Sequence, residues 1–453
     1  MSESPHAEAK PLPLQTRRNW LALLTGGMAG MASGTSCDSR KHSVPSTKTP
    51  RAKGPFAQEA YVWQRVWTPA VVDAVRESTG RVDALTVLAA EVEFQDKTPR
   101  LIRPKLDFPA MRAFGNPIAM AMRIGPWAGP FSESDELANK LVSWLNETLQ
   151  QAREAGWEPS ELQIDFDAAT SKLAGYETWL RVFQRAVSPL PVSFTALPDW
   201  LNSPTLKEMA TLTGRYVLQV HAVERARAND TKPQLIHPES VRKWVEQAGK
   251  LGVKFHIALP TYRSAVGFNA EGKIIGIDSE GSARAWPKGT RIVTYQSPAE
   301  ELATLIREWT TDRPASMAGV LWYRLPVAGE SRNWSWPTLA AVMQGRAPKV
   351  ALEIQRNKGN PVDLVLANTG EGEAPWPELI LAKLPPQIGT IETGDALAGY
   401  AFEWDASAPE AAAFRRLPNY SDAFLPPGGK KPLGWLRLTS DTISHELTIH
   451  LKA

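Results

Sequence analysis

The residues best suited to chemistry lie in Glu161-Leu-Gln-Ile-Asp-Phe-Asp-Ala-Ala-Thr170, which reads as a strand ending in two carboxylates. Side chains alternate across a strand, so Leu162, Ile164 and Phe166 share one face, and Gln163, Asp165 and Asp167 the other. Same-face neighbours are roughly 7 Å apart along a strand. Asp165 and Asp167 then stand one above the other, the second at the strand's C-terminal end. Repulsion between two such carboxylates favours keeping a proton on one of them, as a general acid requires.

The elements that must position this pair are parallel βα units. From Ala60 to about residue 345, short β-rich runs alternate with amphipathic helices, a pattern that gives a parallel sheet with helical crossovers. The strands are expected at 60–66, 83–94, 117–124, the acidic stretch, 191–197, 215–221, 253–259 and 318–325. Eight strands and at least seven helices make an α/β fold, a (β/α)8 TIM barrel, whose active sites lie at the strands' C-terminal ends. Residues 260–291 form a long insertion with a β-hairpin at 268–278, and residues 95–116 show no clear helical period. Past about Lys349, strand-like runs separated by turns predict a small C-terminal β-sandwich. The expected organisation is an export or lipoprotein signal at 1–37, a flexible linker at 38–55, the barrel at 56–346 and the β-sandwich domain at 347–453.

On this register the polar residues nearest the strand ends are Gln64 or Arg65, Glu91 and Glu93, Arg123, Asp165 and Asp167, Thr195, Gln219 and His221, His256, and Trp322 to Arg324. So many polar groups must satisfy one another, water or a ligand. One outcome is a closed ion-pair network, with Arg123 between Glu91 and Asp167. The other is a cleft in which Asp167 acts as acid and Glu91, Glu93 or Asp165 as its partner, the two-carboxylate arrangement of glycoside hydrolysis. Arg123, Gln219, His221, His256 and Arg324 would then bind a carbohydrate ligand, and Trp200, Trp322 and Trp286 would stack on sugar rings.

Composition bounds the alternatives. The formal charge is only +3 over 453 residues, so nucleic acid is not an expected partner; protein partners are not legible. No H-x-H motif and no phosphate-cradling glycine loop occurs, so no metal and no cofactor are expected; a His221/His256/Asp site is the one metal alternative. The single cysteine, Cys37, precludes a disulfide. It follows Gly34-Thr-Ser36 and an apolar stretch opened by Thr16-Arg17-Arg18, which resembles a twin-arginine signal ending in a lipoprotein cysteine. Export to the periplasm or cell envelope, with membrane contact through a lipid on Cys37 only, is the resulting expectation. A plain exported signal or an uncleaved anchor is the alternative.

Several stretches resemble a bacterial family recorded as a domain of unknown function, made of exported barrels similar to glycoside hydrolases. They are Tyr61-Val-Trp-Gln-Arg65, Gln163-Ile-Asp-Phe-Asp167, Thr195-Ala-Leu-Pro-Asp-Trp200, Leu218-Gln-Val-His221 and Trp322-Tyr-Arg-Leu-Pro326. The resemblance implies a fold and no established activity. A looser similarity runs to chitinase-like barrels, whose fourth strand reads D-x-D-x-E with the glutamate as acid. Here Ala169 holds that last position, which counts against substrate-assisted amino-sugar hydrolysis at this strand. A different carboxylate pair, or a barrel that binds glycans without cutting them, remains open.

Overall fold

The computed structural model describes residues 49–221, 233–279, 285–397, 399–420, 423–440 and 444–452. The signal expected at 1–37, with Cys37, lies outside them. Eight parallel strands close into a barrel: β1 (Ala57–Val62), β2 (Ala84–Gln95), β3 (Ile118–Ile124), β4 (Leu162–Phe166), β5 (Val192–Ala196), β6 (Arg215–Gln219), β7 (Lys254–Pro260) and β8 (Met317–Tyr323). Each pairs with the next, and β8 pairs with β1. Closure there needs a residue without a side chain, because a Cβ on Gly319 would lie 2.4 Å from the Ala57 carbonyl oxygen. The expected (β/α)8 fold is therefore the fold observed.

Helices α1 (Pro69–Glu77), α2 (Phe108–Phe114), α3 (Glu136–Glu154), α4 (Leu173–Val187), α5 (Pro204–Thr213), α6 (Pro238–Lys250), α7 (Ala299–Thr311) and α8 (Trp336–Met343) surround the barrel. Their packing follows from apolar stripes at helical spacing, such as Leu137, Leu141, Leu145 and Leu149 of α3, all buried. Asp135 caps that helix, accepting the Ala138 N–H at 2.6 Å. Among the described residues no helix is long and apolar enough to cross a membrane.

The stretch without a helical period holds a feature that alternation alone does not announce. β2 continues above the barrel and folds back as Thr98–Ile102, turning at Asp96 and Lys97, which both have positive φ (48° and 68°). Paired positive φ values are what a two-residue hairpin needs. The insertion after β7 is a three-stranded antiparallel sheet, Arg263–Phe268 between Ile274–Asp278 and Arg291–Gln296. It is fixed to the loop after β8 by Arg332, whose Nε donates to Asp278 at 2.9 Å.

Beyond the barrel, two four-stranded antiparallel sheets enclose a second core of Val362, Leu364, Ile380, Phe414, Leu433 and Leu436. Three of these strands, 391–396, 400–404 and 411–416, went unread in the sequence. Glu392, Gly394 and Asp395 in the first and Ala411-Ala-Ala413 in the last are residues depleted from strands, and they dilute the signal of Ile391, Thr393 and Phe414. At the other end, Arg51–Ala52 is not flexible linker. It pairs with Arg313–Pro314, and the Arg51 guanidinium binds Asp312 and Glu246, each at 2.8 Å.

Candidate active site

At the C-terminal ends of β2, β3 and β4, strand register sets Glu91, Arg123 and Asp165 side by side. With strands about 4.8 Å apart, Arg123 separates the two carboxylate-bearing backbones by roughly 10 Å. Asp165 is buried and accepts the Thr195 hydroxyl at 2.7 Å. Asp167 follows the fully buried Phe166, one residue past the end of β4, and is half-buried.

Glu91 is 5% exposed and ion-paired, chiefly with Arg65, whose Nε lies 2.7 Å from Oε2. Arg123 approaches the other oxygen at 3.7 Å, and Arg65 reaches Glu93 at 3.3 Å. Part of the expected ion-pair network thus forms around Glu91, with Arg65 as its main cation. Gln219 is half-buried at the end of β6.

Opposite these groups stands a cluster of rings from β1 and the ends of β6, β7 and β8. Trp63 meets Tyr61 and Tyr323 edge-on, with centroids 5.1 and 5.6 Å apart. Tyr323 stacks on His221 at 5.2 Å, and the Tyr262 hydroxyl lies 3.3 Å from His221 Nδ1. The Tyr61 hydroxyl donates to Gln163 Oε1 at 2.5 Å, joining this cluster to the acidic strand below Asp165. Burial, and then the Asp165 charge, push the Tyr61 phenol well above its ordinary value, so it stays a neutral donor. A second aromatic feature stands on the rim, where the Trp127 indole stacks on Phe94 at 5.0 Å and donates to the Pro130 carbonyl.

Five expected ligand contacts lie elsewhere. His256 sits at the opposite, N-terminal end of the barrel, its Nε2 3.1 Å from Glu59. There it joins Arg215, which binds Glu59 at 2.7 Å and Glu161 at 3.3 Å. Burial alone would raise both carboxyls. For Glu59, contact with His256 and the Arg215 charge overcome burial and leave it lowered, whereas Glu161 stays raised. His221 and His256 therefore occupy different ends of the barrel and do not form a site together.

Trp200 and Trp322 are 1% and 0% exposed, so neither can stack on a sugar. Trp200 donates to the Ala168 carbonyl and Trp322 to Gln58 Oε1. Trp322 is one residue out of phase: Gly319, Leu321 and Tyr323 face inward, so Tyr323 takes the place at the mouth. Arg324 is buried and turned to Glu330 at 3.0 Å and the Ser279 carbonyl. Trp286 packs over Gly267 of the insertion, where an added Cβ would meet its ring at 2.2 Å.

Arg65 was not expected as the partner of Glu91, nor were the rings Tyr61, Trp63, Tyr262 and Trp127; Tyr323 lies within the stretch 322–324 expected at the strand end. The period of two that picked Asp165 and Asp167 also picks Tyr61 and Trp63. No periodic signal marks Trp127 or Tyr262, which lie in loops.

Comparison with solved structures finds barrels of low identity. A chitinase from Chromobacterium violaceum is 12% identical, with a TM-score of 0.42, over 64% of this chain and 99% of that one. The Bacillus cereus spore cortex-lytic enzyme SleL is 13% identical, with a TM-score of 0.46, over 65% and 75%. A xylanase and α-amylase inhibitor protein from Scadoxus multiflorus is 13% identical, with a TM-score of 0.38, over 65% and 100%. No curated protein matches the chain. Residues 115–328, from just before β3 to the loop after β8, match the family model described as Domain of unknown function (DUF3142), in agreement with the resemblance carried by the strand-end motifs.

Proposed function

We propose that the barrel mouth binds a polysaccharide of the cell envelope or surroundings and hydrolyses it, with Asp167 as general acid. The observation that carries this reading is a carboxylate-bearing strand end, Asp165 and Asp167 beside Arg123, with the half-buried Trp127 and Phe94 rings stacked on the same rim. Aromatic rings take the C–H faces of sugars, and carboxylates take their hydroxyl protons. Cleavage would break the bond from the anomeric carbon to the leaving oxygen. Asp167 would give its proton to that oxygen, while water, or a carboxylate later displaced by water, adds to the anomeric carbon. The second carboxylate is sought among Asp165, Glu91 and Glu93. Thr195 orients Asp165, and Arg65 holds Glu91 as an ion.

The grip of Arg65 on Glu91 also supports a second reading, a polysaccharide-binding or assembly factor that uses the same mouth without cutting. We place either version in the cell envelope, tethered by a lipid on Cys37. Binding to a glycan array and release of reducing ends, measured for the full chain and its Asp167→Asn variant, separate the readings. Cleavage by the wild type alone, with binding by both, supports Asp167 as acid. Equal binding with no product from either would sink hydrolysis and leave the binding protein.

A further inference from the structure

Two cavities of about 380 and 520 Å³ lie where the barrel meets the C-terminal sheets, away from Asp165, Asp167 and Glu91. They adjoin at a shared wall of Arg263, Trp334, Glu373 and Phe424. That wall is built before any ligand arrives. The Arg263 guanidinium lies 3.8 Å over the Phe424 ring and donates to the Ser331 carbonyl, and the side chain is only 6% exposed. Glu373 accepts the Ser335 N–H at 2.6 Å and the Thr338 hydroxyl at 2.8 Å, which fixes its carboxylate at the start of α8. The smaller cavity adds Glu77 and the half-exposed Trp336. The larger adds Glu301 and Gln234, themselves hydrogen-bonded at 3.3 Å.

We infer that this junction cleft is a second binding site and that its ligand is a neutral oligosaccharide. Carboxylates at Glu77, Glu301 and Glu373 accept hydroxyl protons and repel anions, the Gln234 amide can donate to a ring or hydroxyl oxygen, and Trp336 and Phe424 supply aromatic surface. Both volumes fall in the range of small-ligand pockets. The inference goes beyond the mouth: the cleft holds no proposed catalytic group, and its residues come from α1, α7, α8, the insertion, the segment before α6, the loop after β8 and the C-terminal sheets. A chain with both sites would hold a long glycan at the junction while the mouth engages another stretch of it.

The test labels the full chain with 5-fluorotryptophan and follows the ¹⁹F resonances of Trp336, Trp63 and Trp127, each assigned by its Trp→Phe variant. Hexasaccharides of glucose, xylose, mannose and N-acetylglucosamine, and cationic glucosamine hexasaccharide, are added to millimolar concentration. A saturable shift at Trp336 with a neutral hexasaccharide, retained in Asp167→Asn and weakened about fivefold or more in Phe424→Ala, supports the site. Glu77→Gln, an exposed position that leaves the wall intact, should weaken it as well. A Trp336 resonance that no neutral hexasaccharide moves overturns the inference, as does one that only the cationic sugar moves or that shifts identically in Phe424→Ala and Glu77→Gln. Shifts confined to Trp63 and Trp127 would remove the junction site and leave the mouth reading standing, whereas shifts at Trp336 alone would do the reverse.

Discussion

Replacing Arg215 by methionine removes the guanidinium that lies between two buried carboxylates at the barrel's N-terminal end. The side chain of Arg215 is 29% exposed, and those of Glu59 and Glu161 are 10% and 11% exposed, so solvent screens the pairs only in part. Breaking a buried pair by deleting one partner costs about 3–5 kcal/mol, mostly from the charge left behind. Glu59 keeps His256 at 3.1 Å, so the loss falls mainly on Glu161, which retains the Ser193 hydroxyl.

The loss must also depend on pH. The Glu161 carboxyl is raised in the folded protein, so its contribution is present in acid and declines as pH rises through the folded value. The Glu59 carboxyl is lowered, so its contribution is present above the unfolded value and is lost as pH falls through the folded one. Without Arg215 both carboxyls move upward. The deficit of Arg215→Met against wild type is therefore largest above the carboxylate range, from about pH 6 upward, and shrinks towards about pH 4 as the stranded acid takes a proton. Calorimetric melts across that span should show the barrel transition lowered by about 5–10 °C at neutral pH. A deficit below about 1 kcal/mol, or one of constant size from about pH 4 to 8, would refute the argument and reduce Arg215 to a packing residue.

Tyr61→Phe should cost about 1–3 kcal/mol in urea unfolding, because the Gln163 carbonyl stays buried after losing its donor; a neutral effect would mean the two rearrange freely. Trp127→Ala should weaken saccharide binding at the mouth about fivefold by calorimetric titration, and unchanged affinity would exclude the Phe94–Trp127 pair from the site. Arg332→Met should speed amide exchange in 274–278, since the insertion loses its 2.9 Å bond through Asp278, and exchange at the wild-type rate would show that other contacts hold it.

The barrel was legible because its signal is redundant: each βα unit repeats the switch from a period of two to one of 3.6. The hairpin at Asp96-Lys97 escaped because its turn lacks the usual glycine, and the strand at 411–416 because it opens on three alanines and only Phe414 carries the strand signal. At the mouth, alternation indicated which face of a strand looks inward but not at what height. Lys254 and His256 sit early in β7, so His256 fell to the far end of the barrel although its phase was read correctly. Trp322 shows the opposite failure, a correct height with the wrong face. Partners such as Arg65 and Glu91, or Tyr61 and Gln163, are distant in sequence: the first pair meets through the parallel pairing of β1 with β2, the second across the barrel interior.

The short pairing of Arg51–Ala52 with Arg313–Pro314 fixes at which end of the barrel the N-terminal segment joins it. Pro314 precedes β8, so this contact lies at the strands' N-terminal end, and Arg313 secures it by donating to the Gly54 and Pro55 carbonyls. The mouth opens a full strand length away, roughly 20 Å for six residues, on the opposite face. Were the chain moored to a lipid surface through Cys37, the barrel would stand on its closed base with Asp165 and Asp167 turned outward. It would then sample polymer approaching from the far side more readily than the headgroups beneath it.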